Sequence, residues 1–510
     1  MRTYRGAWAL AGLTAGFAGL AASYFVAMAM AIRESPVVSV AELVIRLTPG
    51  PVVERAIQLL GHRDKPFLVT MILLLTAGLF GYAGHLARRS RWAPNLVFVA
   101  LGVFAGIAVR LQPASTSLDV LPVAAGLLTW LICLPLLTER LRRGAAADGD
   151  RVPVDRDPTR RGFLLRAGAV GVLGLTLAAA GRAVGSGRRH VEESRRLLRL
   201  SGVTPPRIPA KAVLGVEGIS PWMTPAEEFY RVHTAIVVPT IEPTDWTLRI
   251  HGLVDREVTL TYEELLAREL TESWITLNCV SNQVGGSLIG NARWSGVRLA
   301  ELLDRAGVHP DADAVLQTSD DGWTCGTPLV ALTDDRDAML AVAMNGKPLP
   351  IDHGFPVRTI VPGLYGYVSA CKWVVDLEVT RFDRIDAYWT ERGWAEQGPV
   401  KMSSRIDVPG SGSEVEAGDV RIGGVAWAQH TGIDAVEIAL DGGDWVPAEI
   451  ASPPTDDTWV QWAATVSASP GDHVVRVRAT DKTGLVQTGV ERDVLPDGAT
   501  GWHAIEFSAT

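Results

Sequence analysis

The sequence predicts three parts in order: an N-terminal all-α transmembrane bundle of about five helices, a central α+β domain, and a C-terminal immunoglobulin-like β-sandwich. Three observations carry this reading. The chain is 47% hydrophobic, and the apolar excess lies almost entirely before residue 187. Short strand-like and short helix-like stretches then alternate without the regular rhythm of a doubly wound sheet. After Lys401 the pattern becomes alternating segments separated by turn residues. The expected divisions are residues 1–187 as an anchor, 188–219 as a linker, 220–400 as the α+β domain and 401–510 as the sandwich.

In the first part, residues 7–32, 67–86, 94–109, 118–137 and 162–184 form apolar runs. They approach the ~20 residues that cross a bilayer. Short loops rich in Lys and Arg face the cytoplasm. Arg88, Arg89 and Arg91 join the second and third runs, and Arg140, Arg142, Arg143, Arg151, Arg156, Arg160 and Arg161 join the fourth and fifth. Residues 111–117 carry no base. These agree on a multi-pass protein of the cell membrane with its N-terminus inside and its C-terminal bulk on the extracytoplasmic side. Arg46, Arg55, Arg63 and Lys65 in the first outer loop pull against that topology, as do Arg188, Arg189, Arg195, Arg196 and Arg199 after the last run. Thr159-Arg160-Arg161-Gly162-Phe163-Leu164 resembles a twin-arginine export signal placed inside the chain, which would carry a folded, cofactor-loaded domain outward. The same residues also read as two arginines before an ordinary helix. A haem in the bundle would need axial histidines, and only His62 and His85 stand near the runs, at their edges. Anchoring is the reading that remains.

In the second part, residues 246–250 alternate as a strand and 258–260 pair with it. Thr261-Tyr262-Glu263-Glu264 is a capping box opening a short helix. Residues 274–280 read as a strand, 298–306 as a helix stopped by Gly307, and Asn345-Gly346 as a turn. Residues 357–361 and 373–379 are further strands. In the third part, 420–428, 435–440, 459–466 and 473–479 alternate between turns such as Asp441-Gly442-Gly443, the spacing of a small β-sandwich. Few convergent polar groups lie there, which suggests an interaction domain.

The chemistry concentrates at Cys279, one of four cysteines. It ends a strand-like run and opens a polar, glycine-rich loop. No Cys-x-x-Cys pair exists, so zinc ribbons and dithiol redox motifs are excluded. Cys325 and Cys371 either pair or stay free; spacing does not decide. The net charge of −8 carries no nucleic-acid signature. Downstream of Cys279 come His353-Gly354-Phe355-Pro356-Val357-Arg358, Ser369 and Lys372-Trp373. A soft thiolate followed by basic groups suits a metal held by sulfur on a phosphorylated cofactor.

From Glu228-Phe229-Tyr230-Arg231-Val232-His233 to the end, the chain resembles the sulfite oxidase family of molybdopterin enzymes. The resemblance rests on those residues, the Cys279 loop, Gly290-Asn291-Ala292-Arg293-Trp294, Asp352-His353-Gly354-Phe355-Pro356-Val357-Arg358 and Val361-Pro362-Gly363, in that order. Pro496-Asp497-Gly498-Ala499-Thr500-Gly501 resembles the end of that family's dimerisation domain. The resemblance implies molybdenum on molybdopterin without an appended nucleotide, with Cys279 as the protein ligand to the metal. It implies that Arg231, His233, Asn282, Arg293, His353, Arg358, Ser369 and Lys372 hold the pterin and its phosphate. It further implies oxygen-atom transfer on a small sulfur-containing substrate, electron exchange with a separate carrier or quinone, and a homodimer. Two departures stand out. The family places an arginine five residues after the ligand cysteine, where this chain has Val284; a catalytic tyrosine falls at Trp394. Arg231 or Arg392 offers a replacement cation. Sulfite oxidation and sulfoxide reduction both remain open, and a catalytically inactive, membrane-tethered scaffold on the same fold is the competing reading.

Overall fold

A computed structural model describes residues 5–30, 32, 34–60, 63–112, 115–147, 158–184 and 187–510. His62, Arg151 and Arg156 lie outside the described residues. The chain divides into two units, Met1–His190 with Ala235–Pro239, and Val191–Thr234 with Thr240–Thr510.

The first unit is helical: α1 Arg5–Ala29, α2 Pro36–Leu47, α3 Gly50–Leu60, α4 Asp64–Leu86, α5 Ala93–Arg110, α6 Leu121–Ala147 and α7 Pro158–Val184. Five helices among the described residues are long and apolar enough to cross a membrane. Small residues let α1 approach its neighbours. A Cβ added at Gly84 would lie 2.2 Å from the Trp8 carbonyl oxygen, and one at Gly12 would lie 2.1 Å from that of Phe80. Such close backbone approach drives helix association where no hydrophobic effect acts between helices. Trp130 fills the centre, donating from Nε1 to the Gly16 carbonyl at 3.0 Å and stacking on Phe98. Many leucines of α4 to α7, such as Leu74, Leu75, Leu128 and Leu173, face outward.

The segment between the first two apolar runs is mostly α2 and α3, which the run-by-run reading of the sequence did not predict. Both are amphipathic and too short to span a bilayer. Arg46 donates to the Leu111 carbonyl at 2.8 Å and to Gln112 Oε1 at 2.7 Å, so α2 and the α5–α6 turn share one end of the bundle. At the other end, Arg142 donates to the carbonyls of Ala87 and Ser90.

The second unit begins at Val191, within α8 Gly187–Leu197, and its first two sheets are one mixed and one antiparallel. One has β1 Thr247–Gly252, β2 Val258–Thr261, β5 Ala314–Ser319, β6 Thr324–Pro328 and β10 Val374–Thr380 in the order β2-β1-β10-β5-β6. The other has β3 Thr271–Asn278, β4 Ile289–Arg298, β7 Met339–Met344 and β8 Lys347–Pro348, with β9 Arg358–Ile360 against β7. Short helices fill the crossings: α9 Tyr262–Leu266, α10 Leu299–Ala306, α11 Leu329–Thr333 and α12 Gly366–Ser369. The capping box forms as read, with the Glu264 amide donating to Thr261 Oγ1 at 3.2 Å and the Thr261 amide to Glu264 Oε2 at 2.8 Å. Gly307 stops α10 at φ 72°. The core gathers Leu248, Leu303, Leu340, Val342 and Leu377.

The C-terminal sheets run β11-β13-β17-β16 and β12-β19-β18-β14-β15. Their strands are β11 Ser403–Val408, β12 Ser413–Val415, β13 Gly418–Trp427, β14 Ile433–Leu440, β15 Val446–Pro447, β16 Glu449–Ile450, β17 Val460–Ala468, β18 Gly471–Asp481 and β19 His503–Ala509. Ile422 and Trp462 from one sheet meet Ile438, Val477 and Phe507 from the other in a shared core. The alternation predicted β13, β14, β17 and β18. It missed β11, β12 and β19, and also β15 and β16, which at two residues each are too short to show a period.

Candidate active site

Cys279 lies just past the end of β3, at the start of a loop that closes on itself. The Cys279 amide donates to the Leu288 carbonyl at 3.0 Å, the Asn282 amide to the Cys279 carbonyl at 3.0 Å, and the Leu288 amide to Asn282 Oδ1 at 2.8 Å. Asn282 therefore shapes the loop from inside. Tyr230 and Gly366, the neighbour of Tyr365, approach this strand end: a Cβ added at Gly366 would lie 3.9 Å from both the Asn278 carbonyl oxygen and the Tyr230 hydroxyl. Burial and then the neighbouring Cys279 thiolate push the Tyr230 phenol above its ordinary range. Burial pushes Tyr365 up to about 12, with Asp497 and Cys279 adding to it against the Lys401 amide. Both phenols are neutral at physiological pH. The sequence reading quoted Tyr230 without assigning it a role and passed over Tyr365. Their adjacency to Arg231 and to Val361-Pro362-Gly363 was the available signal.

A second cluster gathers the basic residues. Arg358 is 4% exposed, and the hydrogen bonds it donates all go to backbone carbonyls: His353 at 3.1 Å, Ala370 at 3.4 Å and Thr359 at 3.5 Å. Its guanidinium lies 5.2 Å from the centre of the Trp294 ring. Burial lowers it to about 10, which still leaves it charged. Lys372 donates to the Asp352 carbonyl at 2.9 Å, and Arg231 pairs with the Asp352 carboxylate at 3.3 Å. His353 Nε2 donates to the Ala226 carbonyl at 3.0 Å. Burial, then Lys372 and Arg358, hold His353 down to about 3, so it is neutral.

The backbone is bent to bring these together. Gly354 has φ 109°, and a Cβ there would lie 2.9 Å from Cβ of Arg358 and 3.2 Å from Cβ of Lys372. Trp373 has φ 51°, an outlier for so large a residue, and Nε1 ties it to the Ile351 carbonyl at 3.0 Å. His233 meets the Trp373 ring edge-on at 5.8 Å.

Three other expected site residues make contacts within the protein. Arg293 pairs with Glu272 at 2.8 Å and donates to Thr204 Oγ1 at 3.0 Å, a structural tie across β3 and β4. Ser369 Oγ donates to the Tyr365 carbonyl at 2.8 Å, within its own helical turn. Trp394 is buried and packs on Tyr367 and Trp389, with ring centres 5.8 Å and 6.2 Å away. Cys325 and Cys371 are wholly buried free thiols, hydrogen-bonded to each other; burial and then that bond push Cys371 well up.

The cluster fits a phosphorylated pterin. A buried cation served only by carbonyls has charge to offer an anion. His353 Nδ1 is buried without a hydrogen-bond partner, the state of an atom that awaits one. Residues 235–389 match the oxidoreductase molybdopterin binding domain. The uncharacterized oxidoreductase YuiH of Bacillus subtilis is 34% identical over 178 residues, which cover 34% of this chain and 85% of that protein. The mitochondrial sulfite oxidase of Drosophila melanogaster is 28% identical over 319 residues, 52% of this chain and 55% of that enzyme. The chain belongs to the sulfite oxidase family. It is a molybdopterin-dependent oxidoreductase, and its cofactor is molybdenum on molybdopterin. Within the family, the chain spans only about half the length of the Drosophila enzyme. A crystal structure of the sulfane dehydrogenase SoxCD from Paracoccus pantotrophus aligns over 58% of this chain and 82% of that one, with TM-score 0.47 and 24% identity.

Proposed function

We propose that this chain is a membrane-anchored oxidoreductase that transfers an oxygen atom to or from the sulfur of a small molecule, with Cys279 as the molybdenum ligand. The observation that carries the site assignment is the Cys279 thiol at a strand end together with the buried Arg358, whose hydrogen bonds go to backbone carbonyls. When bound, the cofactor supplies the two-electron oxygen-transfer chemistry. The protein's own residues bind and orient. Arg358 and Lys372 offer charge to the cofactor phosphate, and neutral His353 offers a ring nitrogen at Nδ1. Arg231 sits at the more exposed edge, where Asp352 steadies it. Tyr230 and Tyr365 present neutral hydroxyls on the Cys279 side and exclude water there.

Relatives named as sulfite oxidases support sulfur chemistry. The residues beside Cys279 favour a neutral sulfur compound over a dianion. Val284 is apolar, and Lys401, whose backbone amide donates to the Tyr365 hydroxyl at 3.3 Å, has its ammonium paired with Asp497 at 2.7 Å. Losing a charge-assisted contact to an oxyanion costs about 1.5–3 kcal/mol. The five apolar helices support a multi-pass anchor in the cell membrane. The arginines of the short loops favour residues 188–510 on the extracytoplasmic side, and the family resemblance favours electron exchange with a separate carrier or quinone. The C-terminal sheets support an immunoglobulin-like sandwich of the dimer-forming kind.

The test is molybdenum and pterin content of the purified chain, wild type beside Cys279→Ala. The reading expects stoichiometric molybdenum in the wild type and a loss of bound metal or of its thiolate signature in the variant. Unchanged metal, spectrum and turnover in Cys279→Ala would remove the ligand assignment. Sulfite oxidation and sulfoxide reduction, assayed on the same loaded sample, separate the two directions.

A further inference from the structure

The loop that begins at Cys279 is gripped from outside by the C-terminal sheets. Its internal hydrogen bonds leave the Gly286 carbonyl and one face of Gly285 turned outward. Arg405 Nη1 donates to that carbonyl at 2.7 Å. Arg405 is 9% exposed, and the rest of its fork is fixed: Nε donates to Asp407 Oδ1 at 2.7 Å and Nη2 to Ser220 Oγ at 2.8 Å. His503 covers Gly285, where φ is 76° and an added Cβ would lie 2.3 Å from the imidazole. The His503 ring is itself held, accepting at Nδ1 from the Ile406 amide at 3.0 Å. Next along the loop, Gln283 Nε2 donates to Asp493 Oδ1 at 3.1 Å. Val284 lies against Gly501, with Cγ2 3.6 Å from a Cβ added there.

Four successive loop residues, Gln283 to Gly286, therefore rest on β11, β19 and the segment leading into β19. We infer that Arg405 and His503 are positioning residues that set the Cys279 sulfur through this loop, so that the C-terminal sheets complete the active site. The inference rests on Cys279 being the metal ligand. A planar guanidinium braced by the buried Asp407 carboxylate fixes both distance and direction at Gly286, which a flexible ammonium does not. A ligand atom must be held within about 0.5 Å of its working position, and a loop with free ends does not do that. The sequence reading, which saw few convergent polar groups in this domain, looked within the domain for a site of its own.

The experiment uses the full chain. Arg405→Gln with Asp407→Asn removes the buried pair together and leaves no lone charge, and His503→Ala removes the second contact. Ser220→Ala is the control, since it cuts the same fork without touching the loop. In cofactor-loaded protein, the paramagnetic molybdenum signal is recorded beside metal content. In cofactor-free protein, the alkylation rate of Cys279 is followed by peptide mass spectrometry. The expected result is a shifted or mixed signal and alkylation faster by roughly fivefold or more in the Arg405 and His503 variants, with Ser220→Ala like the wild type. Folded variants with wild-type signal and alkylation rate would overturn the positioning role. A wild-type signal in Cys279→Ala would instead strike the ligand assignment beneath it.

Discussion

Arg358 shows what one residue contributes. Its charge is buried against Trp294 and three carbonyls, an arrangement that costs stability unless an anion arrives. Arg358→Lys keeps the charge and loses the fork, and we expect cofactor retention to fall roughly tenfold or more, measured as pterin released on gel filtration. His353 gives a pH test. Its folded value, about 3, lies below the ordinary 6.5, because burial and then Lys372 and Arg358 oppose the proton. Above 6.5 both folded and unfolded chains hold it neutral. As pH falls from 6.5 toward 3, only the unfolded chain takes the proton, so stability is lost in that window. Cofactor-free wild type should therefore lose thermal stability faster than His353→Gln between pH 6.5 and 4.5. Parallel curves would show that the histidine titrates normally. His473 runs the other way. Its ring lies between the Ser469 carbonyl and Asp441, both at 2.7 Å, and these raise its value. Its contribution is present below the ordinary value and is lost as pH rises through the raised one, so the melting difference from His473→Gln should shrink toward alkaline pH.

At the scale of elements, two glycines decide whether neighbours can meet. Gly354 lets Arg358 and Lys372 converge. Gly354→Ala meets a strained φ and a crowded Cβ, and a loss of about 1–3 kcal/mol, together with cofactor, is expected from denaturant melts and metal analysis. In the bundle, Gly84 lets α4 touch α1. Gly84→Val would drive a side chain into the Trp8 carbonyl, and about 1–3 kcal/mol of overpacking should lower the melting point of the detergent-solubilised chain. Gly78, where an added Cβ meets nothing within 4 Å, is the internal control.

At the scale of the molecule, the ends of the bundle are ordered by hydrogen bonds. Arg46 joins α2 to the turn at Leu111 and Gln112, and Arg142 joins α6 to the turn at Ala87 and Ser90. The proposed orientation puts the first of these ends outside and the second inside. Reporter domains fused after Gln112 and after Ser90 should be active on opposite sides of the membrane. The same side for both would break the topology.

Much of this was legible from residues alone. The apolar runs gave the spanning helices because a bilayer fixes their length. The capping box, Gly307 and Asn345-Gly346 marked their turns because few residues tolerate those backbone angles. Cys279, His353 and Arg358 were marked by type and order. What only the tertiary structure decided were partners distant along the chain. It assigned Arg293 to Glu272 and Ser369 to its own turn. It brought Tyr230 and Tyr365 to Cys279, and it set Arg405 of the C-terminal sheets against Gly286. Local sequence encodes dihedral preference and hydrophobic period, whereas a polar side chain's role is settled by whichever group the fold places within about 3 Å of it.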